Sequence, residues 1–96
     1  VDRRYPPRMK WAAAFFLMLD AMPPRQFDYA PPFYSVERVA REDIGRVCGF
    51  PDPDLRLLGC THGPTLRVFL RDDLSGTEYR AVLHHEWAHL NGWRHD

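Results

Sequence analysis

The stretch SGTEYRAVLHHEWAHLNGWRHD, Ser75–Asp96, decides how the chain is read. Ser75 and Glu78 stand three apart. This matches a capping box, in which the Ser oxygen accepts from the third helical amide and the Glu side chain reaches back. From Thr77 to Asn91 neither Pro nor Gly interrupts. Gly92 then falls where a left-handed residue ends a helix. The spacing predicts a helix of about four turns. Residues four apart on it differ by about 40° in direction and one turn in height. His85 and His89 therefore project side by side and can grip one ion. Glu86 lies near the same face, placed to hold a water on that ion. This is H-E-x-x-H, two zinc ligands and a general base. Only His85 fits the register, since a start at His84 puts Ala88 where the second histidine belongs.

Hydrolytic zinc takes three protein ligands and keeps a fourth place for water. After the helix, Gly92 lets the backbone reverse, and His95 can return beneath the ion. The full spacing is H-E-x-x-H-x-x-G-x-x-H, His85 to His95. Asp96 or a terminal carboxylate is the alternative third donor. His84 is left for the surface or for support of the ligands. His62 reads as a loop histidine. Trp87 and Trp93 read as packing at a helix end.

This spacing resembles the motif of the metzincin clan of zinc metallopeptidases, part of the wider zincin group. The resemblance covers eleven residues directly, and about thirty with the preceding strand and capped helix. It implies one Zn²⁺ on His85, His89 and His95, and hydrolysis of a peptide or protein substrate with Glu86 as base. In zincins a sheet with a substrate-binding edge strand precedes the site helix, and TLRVFL is similarly placed. An extended peptide is expected to pair with Leu66–Leu70. Metzincins also carry a methionine turn after the third histidine. Here Met9, Met18 and Met22 all lie upstream, so the floor of the site must come from other residues. The rival reading is a non-catalytic zinc-stabilised binding module. Glu86 discriminates, because a structural site has no need of a carboxylate there.

Working outward, YSVERVAREDIGRVCGFPDPD predicts a helix over 41–48, stopped by Gly49 and Pro51. Residues 34–40 suit helix or strand. TLRVFL reads as a strand and LRLLG as its partner. Three Pro-Pro pairs make 1–9 and 23–33 extended or loop-like. Between them, the apolar run from Trp11 to Leu19 follows Arg3, Arg4, Arg8 and Lys10. It reads either as a buried helix over about 10–22 or as a secretory signal or anchor. It is too short to span a membrane as a stable helix. The chain thus divides into a Pro-rich N-terminal segment, 1–33, and a minimal metallopeptidase-like domain, 34–96. The expected fold is α+β, a short sheet packed on helices with the site helix C-terminal.

Ninety-six residues make one small domain. Thirteen basic and thirteen acidic side chains balance to zero net charge, which argues against general nucleic-acid binding. Membrane association turns on the N-terminal run. If residues 9–22 act as a signal, the chain is expected to be exported, periplasmic or membrane-anchored; otherwise cytoplasmic. Cys48 and Cys60 are buried thiols or one disulfide. A bridge over so short a loop contributes about 3 kcal/mol and requires an oxidising compartment.

Overall fold

The computed structural model describes residues 11–14 and 22–94. Four strands and two helices are arranged as β1 (Trp11–Ala14), β2 (Ser35–Val39), α1 (Ile44–Cys48), β3 (Gly59–His62), β4 (Arg67–Arg71) and α2 (Gly76–Leu90). The fold is a small α+β domain with its long helix C-terminal, as the sequence predicts.

The centre is a hairpin. β3 and β4 run antiparallel, with Cys60 opposite Phe69 and Thr61 opposite Val68. A 3-10 turn over Gly63–Thr65 joins them. β2 adds to β4 in parallel, and β1 adds to β3 antiparallel, giving the order β1-β3-β4-β2. Val68, Phe69 and Leu70 are all buried, as expected of a strand covered on both faces. Side chains alternate across a strand, and the packing follows that alternation. Phe69 and Cys60 join Ile44, Val47, Cys48 and Leu57 on the α1 face. Val68 and Leu70 join Leu58, Leu74 and Val82 on the α2 face. Gly59 sets how near α2 can come. A Cβ there would meet Phe69 O at 2.7 Å, the Leu70 side chain at 2.8 Å and Val82 at 3.4 Å.

Cys48 and Cys60 form a disulfide between α1 and β3, with Cα atoms 6.0 Å apart. Both cysteines are fully buried, so the bridge fastens the α1 face from within. α1 ends at Gly49, whose φ of +73° is the left-handed geometry predicted for that position.

Four expectations are corrected. Trp11–Ala14 is not the start of a helix over 10–22 but a strand, because pairing with β3 satisfies backbone groups that would otherwise form an open sheet edge. Residues 15–21, the remainder of the run that read as helix or signal, lie outside the described residues. The helix expected over 41–48 begins only at Ile44, after a turn, and 35–39 is strand. LRLLG is not the partner of β4 over its length. Leu55 takes a left-handed φ of +53°, and Asp52 accepts from the Arg56 and Leu57 amides at 2.8 and 3.1 Å. Those two donors are lost to a ladder, and pairing starts at Gly59. Finally, Leu66–Leu70 cannot receive a peptide. β4 is already paired on both sides, and Leu66 turns through a φ of +54°. Among the described residues, no helix is long and apolar enough to cross a membrane.

Candidate metal centre

α2 carries polar groups on its buried stripe. Val82, His85, Glu86 and His89 follow the i, i+3, i+4, i+7 spacing of a core-facing helix. His85 is 2% exposed and Glu86 is 0% exposed. A core position filled by an ionisable side chain costs stability unless something compensates it.

The helix begins at the predicted place by a different device. Ser75 is extended and makes no side-chain cap bond. The chain passes into the helix through Gly76 at φ +56°, which does not present the Ser75 hydroxyl to the third amide. The other end matches the expectation. Gly92 has φ +104°. Its amide donates to His89 O at 3.1 Å, and the Trp93 amide donates to Ala88 O at 2.9 Å. These are the two bonds of a Schellman turn.

The two imidazoles converge. Nε2 of His85 and Nε2 of His89 are 3.0 Å apart. Nδ1 of His89 lies 2.9 Å from Trp93 O. A carbonyl only accepts, so this nitrogen carries the proton and Nε2 presents its lone pair. Metal-bound histidines are commonly oriented in this way. If the protein holds a cation here, the two Nε2 atoms would be its imidazole donors.

Glu86 is held from the sheet. The Thr61 hydroxyl on β3 donates to Glu86 Oε1 and also lies 3.4 Å from Glu86 O. Glu86 Oε2 is buried with no hydrogen-bond partner among the described residues. Burial pushes the carboxyl pKa up from 4.5 to about 8, and the Thr61 bond offsets part of that rise. A buried carboxylate oxygen without a partner among the described residues, on the same helix as two converging imidazoles, fits a bound cation with its water. Such a group would give Oε2 a partner and favour the charged carboxylate.

His85, Glu86 and His89 are therefore brought to one stripe. His95 and Asp96, the expected third donors, lie outside the described residues. Among the described residues no three His, Cys, Asp or Glu side chains form a metal group.

The remaining aromatic and histidine positions divide. Trp93 packs at the helix end as expected, its ring flat on His89 and edge-on to His85. Trp87 packs edge-on against Tyr34. His84 Nδ1 pairs with Asp28 Oδ1 at 2.7 Å. Asn91 donates to Phe27 O and Tyr29 O at 2.9 and 2.8 Å. Together His84 and Asn91 strap the proline-rich loop along the outer flank of α2. His62 is not on a loop but ends β3, buried, with Nδ1 2.6 Å from Thr65 Oγ1. Sequence reasoning missed Thr61. Its one available signal is a hydroxyl among apolar neighbours in a strand, which acquires meaning only once β3 is known to face α2.

No family model, curated protein or solved structure matches this chain.

Proposed function

We propose that the chain is a zinc-dependent peptidase, a minimal zincin-like domain in which α2 is the site helix. One observation carries this reading. Glu86 is fully buried on the same helix as His85 and His89, with one carboxylate oxygen unpartnered among the described residues, and the two histidines bring their Nε2 atoms to 3.0 Å. His85 and His89 would hold the ion, with His95 or Asp96 as the third donor. Bound zinc supplies Lewis acidity, which lowers the pKa of water and stabilises an oxyanion.

The chain's own residues supply the rest. Thr61 fixes Oε1 of Glu86, which leaves Oε2 to take a proton from the attacking water. The same carboxyl then hands that proton to the leaving amine. Trp93 O keeps His89 in the tautomer whose Nε2 can donate its lone pair.

The test is cleavage of a peptide library by wild type, Glu86→Gln and His89→Ala. Wild type should bind about one zinc per chain. Glu86→Gln should keep the zinc and lose hydrolysis by about 10²–10⁴-fold. His89→Ala should lose both. Equal cleavage by wild type and Glu86→Gln would end the peptidase reading. A non-catalytic zinc module is the second reading, favoured by the 2% exposure of His85, since a closed site suits a structural ion. Zinc binding that raises the melting temperature without any cleavage would select it.

A further inference from the structure

We propose that Trp93 is a positioning residue for the two imidazoles, a wall of the metal centre that sets its affinity. This rests on the metal reading above, and it goes beyond the three histidines and the glutamate. Three contacts point the same way. The indole stacks on His89, with centroids 4.9 Å apart and planes 11° apart. It meets His85 nearly at right angles, at 5.0 Å and 75°. Its own carbonyl oxygen lies 2.9 Å from Nδ1 of His89. One residue thus touches both rings and fixes the tautomer of one.

Trp93 is itself held in place. Its amide donates to Ala88 O at 2.9 Å, and Gly92 at φ +104° makes the reversal possible. The ring and the carbonyl act separately. The carbonyl is placed by the turn and survives any side-chain change. The indole restricts rotation of both imidazoles before an ion arrives, so less order is lost on binding. Groups that orient ligands in this way commonly change metal affinity by about 10–100-fold when removed.

The test uses the full chain stripped of metal and titrated with Co²⁺, followed by Zn²⁺ in competition with a chromophoric chelator. Trp93→Ala should weaken both ions by about 10–100-fold and broaden the cobalt visible bands. Its metal-free melting temperature should stay near wild type. Trp93→Phe keeps a flat ring and should recover most of the affinity. If Trp93→Ala binds Co²⁺ with wild-type affinity and spectrum, the proposal is overturned. A wild type that binds neither ion overturns the metal reading and this proposal together. That outcome is distinct from a wild type and a Trp93→Ala variant that bind equally well.

Discussion

The two faces of the sheet are built from different materials. On one side Ile44 and Val47 of α1 pack with Leu57 and Phe69, with a disulfide through the middle. On the other, Val82, His85 and Glu86 of α2 share the space with Thr61, Val68 and Leu70 of the sheet. Both faces are buried, and the second holds a carboxyl, Glu86, whose desolvation opposes folding. The difference teaches that one sheet can carry a disulfide-fastened apolar core on one side and a buried carboxyl on the other. β3 belongs to both, with Cys60 facing one way and Thr61 the other.

The comparison is broken most severely by hollowing the apolar face. Phe69→Ala should cost about 3–5 kcal/mol, read by urea denaturation. Metal affinity measured on the folded fraction should hold. If it falls in parallel with stability, the faces are not separate. Next in size is the bridge. Cys48→Ala with Cys60→Ala should cost about 3 kcal/mol and leave zinc stoichiometry unchanged.

The opposite face should respond with the opposite sign. Glu86→Met removes a buried carboxyl of similar length, and Thr61 retains Glu86 O, a backbone atom, as a neighbour at 3.4 Å. The metal-free variant should be more stable than wild type by about 2 kcal/mol at pH 8, while losing hydrolysis. The pH dependence follows from linkage. The folded pKa of Glu86, about 8, lies above its ordinary 4.5. The stability supplied by the protonated carboxyl is thus full below about 4.5 and lost as pH rises through 8. The gain from Glu86→Met should therefore be small at pH 4 and grow up to pH 8. A gain that is flat with pH would show that the carboxyl is not desolvated. The smallest effect belongs outside both faces. Asn91→Ala removes two bonds to the proline-rich loop and should cost about 1 kcal/mol, with metal affinity unchanged.

The histidine stripe and the Gly92 reversal were legible because both are local. A period of 3.6 residues and one glycine after the last turn are written in consecutive letters. Gly49 was legible for the same reason. β1 was not, since Trp11–Ala14 becomes a strand only because β3 offers an edge to it. The start of β3 was hidden too, because Asp52 takes the amides of Arg56 and Leu57 across a turn that composition does not reveal. Thr61 and Trp93 lie between these cases. Their positions are visible in the sequence, but what they touch depends on how α2 packs against β3 and how the turn carries the indole back.

The reversal at Gly92 also bears on how the protein is handled at the bench. It turns the chain back so that Trp93 lies against the imidazole pair, and residues that follow start from that spot. A polyhistidine purification tag fused after Asp96 would have only three residues between it and Trp93. Its imidazoles would compete for the same ion at high local concentration. Zinc counted on such a fusion would then measure the tag as much as the protein. A tag at the other end, removed by protease before the metal is counted, avoids that confusion.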